Sequence, residues 1–93
     1  MIRSFSDKAT QQLFEDGASK KFPADIQRRA LRKLTLLDKA LTVEDLGTLP
    51  SNRLHKLQGD RDGQWSISIN DQWRICFQFL EDGVFDVEIC DYH

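Results

Sequence analysis

Ninety-three residues, 40% hydrophobic and with nine aromatic side chains, fit one folded domain and exclude two. No apolar run approaches the roughly 20 residues of a membrane span, and the opening MIRSFSDKAT lacks the greasy core of an export signal, so the expected address is the cytoplasm. The net charge of −2 speaks against a general nucleic-acid binder, yet it divides into +4 over residues 1–56 and −6 over residues 57–93: either two faces for two partners or chance scatter.

The chain opens on Ile2-Arg3-Ser4-Phe5, whose alternation predicts a short strand, and Ser6-Asp7 then supplies a helix cap. A first helix is expected over about residues 7–18, with Ala9, Leu13 and Phe14 inward and Gly17 weakening its end. Pro23 suits the start of a second helix, because its fixed φ is already helical and its missing N–H has no helical partner there. From Ala24 to Ala40 the apolar residues Ile26, Ala30, Leu34, Leu37 and then Leu41 recur at helical spacing, the strongest period in the sequence. The opposite side carries two basic rows, Arg28 with Arg32 and Arg29 with Lys33, each pair one turn apart. A solvated face is the simplest use of them; contact with an acidic partner is the other.

Residues 42–53 mix Thr, Gly, Pro, Ser and Asn and predict a short helical turn followed by a loop. The period then falls to two. Leu54–Gln58 reads as a short strand, followed by three antiparallel strands. Gln64–Asn70 turns Trp65, Ile67 and Ile69 inward and Ser66 and Ser68 outward; Trp73–Leu80 turns Trp73, Ile75, Phe77 and Phe79 inward; Val84–Cys90 turns Phe85, Val87 and Ile89 inward. The fold class is therefore α+β, two N-terminal helices packed on an antiparallel sheet.

A one-residue slip would turn every inward side chain outward, so parity sets the register. Ile67 should face Ile75 and Ile69 should face Trp73. Around the Glu81-Asp82-Gly83 loop, Leu80 should pair with Val84, Phe77 with Val87 and Ile75 with Ile89. The same ladder sets Cys90 opposite Arg74 and Asp91 opposite Trp73, delivering Asp91-Tyr92-His93 to one end of the sheet. Cys76 and Cys90 fall on one face but diagonally, where a disulfide would be strained, and both are expected as free thiols.

The sequence has no glycine-rich phosphate loop, no H-E-x-x-H and no G-x-S-x-G, and two cysteines cannot complete a four-ligand zinc site. No cofactor or metal is called for. What remains is a sparse polar set around the C-terminal strands: His55, Lys56, Gln58, Arg61, Arg74, Asp91, Tyr92 and His93. Proton carriers beside a guanidinium that can grip a phosphate are the parts of a metal-independent ribonuclease. Taken singly, each residue is equally at home as a solvated surface group.

The strings Asn52-Arg53-Leu54-His55-Lys56-Leu57-Gln58-Gly59-Asp60-Arg61, Gly63-Gln64-Trp65-Ser66-Ile67 and Trp73-Arg74-Ile75-Cys76-Phe77, with the ending Asp91-Tyr92-His93, narrow the choice. In that order, over essentially the whole chain, they resemble the HigB toxins of the RelE-like superfamily, also called proteic killer suppression proteins. The resemblance implies the toxin of a type II toxin–antitoxin pair, which cuts mRNA in the ribosomal A site until a helix-turn-helix, HigA-like antitoxin neutralises it, and which meets operator DNA only through that antitoxin. It implies catalytic roles for His55, Arg74, Asp91, Tyr92 and His93. Lys56, Gln58 and Arg61 are the accompanying candidates for RNA contact, and Arg28, Arg29, Arg32 and Lys33 for antitoxin contact. One position departs: Gln58 stands where several relatives have lysine, and an amide can hydrogen-bond to phosphate without neutralising developing charge. That departure keeps two other readings open, a catalytically weak module that binds the antitoxin and tunes its DNA binding, and a ribosome-independent ribonuclease, for which the basic groups look too few.

Overall fold

The computed structural model describes residues 1–92. Helix α1 spans Lys8–Asp16; Asp7 caps it by accepting from the Thr10 amide, and Gly17, at φ 84°, ends it in the left-handed region. Helix α2 spans Ala24–Lys39. Ala40 is already extended, so Leu41, expected on the apolar stripe, is 88% exposed. Thr42 and Asp45 form a reciprocal capping box that turns the chain into a five-residue helix, α3 (Val43–Gly47). Short 3₁₀ turns at Pro50–Asn52 and Gly59–Arg61 flank strand β1, which is only His55–Lys56 rather than the longer Leu54–Gln58. Strands β2 (Trp65–Ser68), β3 (Trp73–Leu80) and β4 (Gly83–Asp91) complete a four-stranded antiparallel sheet in sequential order.

The helices cover one face of this sheet. Leu13, Ile26, Ala30, Leu34, Leu37 and Leu46 pack against Ile67, Ile69, Ile75, Phe77, Val84, Val87 and Ile89, all buried. Apolar surface removed from water at this contact is what holds helices and sheet together.

The register agrees with parity over the half of the sheet that carries Arg74. Ile67 faces Ile75, Arg74 faces Cys90 and Trp73 faces Asp91, while the Ile69 amide donates to the Trp73 carbonyl. It fails toward the β3–β4 tip. A bulge shifts the ladder beyond Cys76, so Leu80 pairs with Gly83 instead of Val84, and the turn is the two residues Glu81-Asp82. Asp86, at φ 56°, takes up the extra residue in a conformation that aspartate tolerates better than most. The slip reverses the faces of the tip, so Val84 is buried and Phe85, expected inward, is only half-buried.

The expected strand at residues 2–5 is two isolated parallel bridges onto β4, Ile2 to Val84 and Phe5 to Val87. The bulge interrupts the edge between them, and side chains fill the gap: the Asp86 amide donates to Ser4 Oγ and Ser6 Oγ donates to the Asp86 carbonyl.

Candidate active site

Directly opposed residues of an antiparallel pair point to the same side. The ladder therefore sets His55, Ser66, Ser68, Arg74, Cys76, Glu88 and Cys90 on the face away from the helices, and Tyr92, just past β4, lies beside Arg74 there. This face is polar, and its centre is shielded from solvent while His55 and Tyr92 at its rim are exposed. Ser66 and Ser68 are buried where the 3₁₀ turn at Pro50–Asn52 packs on β2 and the Arg74 side chain lies over Ser66, and Cys76 is buried beside Cys90 and Arg61.

Arg74 is fixed from two sides. Its Nε donates to Ser66 Oγ at 2.9 Å and its Nη2 to the Arg53 carbonyl at 2.8 Å. Arg53 presents that carbonyl because it sits in the left-handed region, φ 46° and ψ 52°, a conformation a non-glycine residue rarely adopts. The guanidinium also lies 5.8 Å from the centre of the Tyr92 ring. Two of its five N–H donors are thus committed to orienting the group, and the guanidinium lines an open depression of about 440 Å³ with Arg53, Leu54, His55, Ser66 and Tyr92. His55 is exposed on β1 directly opposite Ser66. Tyr92 is tied to the neighbouring turn by its amide, which donates to the Gln72 carbonyl at 2.6 Å. Partial burial, then the nearby Cys76, raise the Tyr92 phenol above its ordinary value, so it is a protonated donor at neutral pH.

The structure thus brings His55, Arg74 and Tyr92 together. The remaining candidates fall elsewhere. Asp91 alternates to the helix side of β4, where Gln72 Nε2 donates to its carboxylate at 3.2 Å. His93 lies outside the described residues. Lys56 points to the face opposite His55, with its ammonium 5.7 Å from the centre of the Trp65 ring. Gln58 is exposed at the start of the second 3₁₀ turn. Arg61 is engaged by Glu88 and Gln64, both at 3.1 Å, and does not line the depression. On α2, Arg28, Arg29 and Arg32 are exposed, but Lys33, expected on the solvated side, is buried and donates to Asn52 Oδ1. Burial, reinforced by Arg29 and Arg32, pulls its pKa below the ordinary lysine value.

Beside Arg61 sit two free thiols. A hydrogen bond from Cys90 draws the Cys76 thiol down to about 7 against its burial, helped by Arg61, and the same bond and burial push Cys90 up. This pair belongs to the polar face but does not line the depression.

Sequence reasoning missed Arg53 and Ser66. Ser66 was open to discovery, since the predicted ladder already set it on the face of Arg74 and a buried guanidinium N–H needs an acceptor. Nothing in Asn52-Arg53-Leu54 signals the left-handed turn.

The comparisons with known proteins agree with this architecture. The family model described as the RelE-like toxin of type II toxin–antitoxin system HigB matches residues 3–93. The chain is 38% identical over 93 residues to the protein named Endoribonuclease HigB of Proteus vulgaris, covering 100% of both chains. It is 39% identical over 85 residues to Toxin HigB-1 of Vibrio cholerae serotype O1, covering 90% of this chain and 88% of the relative. Among solved structures, a chain of the YoeB–YefM complex from Staphylococcus aureus shares the fold at a TM-score of 0.62 and 13% identity, over 100% of this chain and 98% of that one.

Proposed function

The chain belongs to the HigB-like toxins of type II toxin–antitoxin systems, and from that premise we propose that it is an endoribonuclease that cuts mRNA in the ribosomal A site without a metal ion. The observation that carries the reading is the clamped Arg74 guanidinium, held by Ser66 and the Arg53 carbonyl in one depression with His55 and Tyr92.

In this reading the scissile phosphate rests on Arg74. A base removes the proton of the ribose 2′-hydroxyl, and the 2′-oxygen attacks phosphorus. Arg74 steadies the charge that builds on the pentacovalent phosphorane, and an acid protonates the departing 5′-oxygen. A guanidinium pre-oriented by its neighbours loses little freedom when the charge forms, which favours the transition state over the ground state. His55 carries one of the two protons, with His93 as the partner for the other; Asp91, on the helix side of β4, holds the neighbouring turn through Gln72 instead. Tyr92 stacks on a base or donates from its phenol. The neutralising partner is a helix-turn-helix antitoxin, with Arg28 on α2 available to an acidic surface, and binding to operator DNA is left to that antitoxin.

Gln58 favours a second reading. An uncharged amide at that place supports a weak enzyme whose main role is to complex the antitoxin and tune its DNA binding. Mapping mRNA 5′ ends after brief induction, with and without translation, separates the two. The enzyme reading expects new ends at defined codon positions that vanish when initiation is blocked. Ends that persist without translation would point to a ribosome-independent nuclease, and an unchanged map to the binding module.

A further inference from the structure

A second cleft, of about 460 Å³, opens between α2 and the β2–β3 turn, and Arg29, Arg32, Lys33 and Arg53 line it with Asn70 and Asp71. Four cations meet there with one carboxylate. That carboxylate, Asp71, is itself almost wholly exposed and, among the described residues, pairs with Arg53 alone, at 3.6 Å. The like charges are held together at a cost. Lys33 forms the floor, anchored by Asn52 Oδ1 and Ser51 Oγ, and its ammonium is destabilised by burial and then by Arg29 and Arg32. Arg29 is steadied by the Ile69 carbonyl, at 3.4 Å. Cations concentrated around a cavity, in a chain whose net charge is −2, describe a site that an anion completes.

The cleft shares one lining residue with the candidate active site. Arg53 lines both cavities, its carbonyl holding Arg74 and its side chain reaching into the cleft. Resting on the ribonuclease reading, we propose that this cleft is a backbone subsite for single-stranded RNA, in which Arg29 and Arg32 bind phosphodiesters next to the one held by Arg74. Forked guanidiniums match phosphate oxygens in geometry as well as charge, and a strand whose scissile phosphate lies on Arg74 can pass its neighbours over Arg53. The assignment takes Arg29 and Arg32 out of the antitoxin-facing set and leaves Arg28, which does not line the cleft.

The test uses a single-stranded RNA oligonucleotide made uncleavable by a 2′-deoxy group at the scissile position, with its affinity for the purified toxin measured across a salt series. Each phosphate contact contributes about 0.7 to the log–log salt slope. The Arg29→Gln, Arg32→Gln pair should therefore flatten the slope by about 1.4 and weaken binding at least about fivefold at low salt. Arg32→Gln alone, at an exposed position, should flatten it by about 0.7. Arg28→Gln should leave it unchanged, and the affinity of the antitoxin should be the same for wild type and for the Arg29 and Arg32 variants. A slope unmoved by both variants, or a wild-type protein with no salt-dependent RNA binding, overturns the subsite. So does loss of antitoxin affinity with RNA binding intact, which would make the cleft a protein-docking surface. Cleavage of programmed ribosomes by the wild type, assayed alongside, keeps the ribonuclease reading separate: it can stand while the subsite falls.

Discussion

The two faces of the sheet are built from the same strands by different physics. Toward the helices, Ile67, Ile75, Phe77, Val87 and Ile89 are buried by close packing, and each contributes through the apolar area it hides. Away from the helices, Ser66 and Ser68 are just as inaccessible, but Arg74 and the loop before β1 cover them. Burial of polar groups is tolerable only when they are paired, and that pairing is what holds Arg74 in one orientation. One face therefore stores stability, and the other fixes the orientation of Arg74.

Changes on each face should separate accordingly. The largest effect is expected from removing residues 91–93: growth inhibition should be lost while the antitoxin still binds, as a pull-down of the stably folded truncation would show. Full toxicity from that truncation would move the assignment to the binding module. On the helix face, Leu34→Ala should cost roughly 2 to 5 kcal/mol in chemical denaturation, because Leu34 is fully buried. Its cleavage rate per folded molecule should stay close to that of wild type. On the polar face, Ser66→Ala keeps the guanidinium but removes one of its two anchors, so single-turnover cleavage should fall about three- to tenfold with stability changed by no more than about 1 kcal/mol. A mutant that lost stability without losing rate would place Ser66 with the core.

The smallest effect concerns the thiol pair. Its first ionisation, near 7 in the folded chain against 9 in the unfolded one, means that the folded state releases a proton first as pH rises. Stability should therefore increase between pH 7 and 9, by about 1 to 2 kcal/mol at most, and that gain should disappear as pH falls through 7. Cys76→Ser should abolish the rise in a denaturation series; an identical slope in the mutant would show that other groups set it.

The same contrast explains what the sequence made legible. Alternation exposes an apolar face wherever the ladder is regular, so the second helix, the last two strands and the Arg74–Cys90 register could be read directly, while the strand expected over Gln64–Asn70 is the shorter Trp65–Ser68. The tip could not, because Asp86 sits in an alternating run and only its positive φ reveals the bulge. Leu41 kept the helical spacing but lies past the point where the backbone turns extended. Lys33 read as one member of a basic row, yet Asn52, distant in sequence, draws it inward. On the polar face the residue types of the site were legible, but not the support beneath them. Arg53 contributes a carbonyl through its backbone, and its side-chain identity carries no sign of that.

The central claim, that the clamped Arg74 holds the scissile phosphate, is tested most directly by single-turnover cleavage of mRNA on programmed ribosomes with Arg74→Ala. The account predicts a rate lower by about ten- to a hundredfold, the usual scale for losing a charge-stabilising donor, in a protein whose denaturation midpoint stays close to that of wild type. A wild-type rate from that folded variant would contradict it.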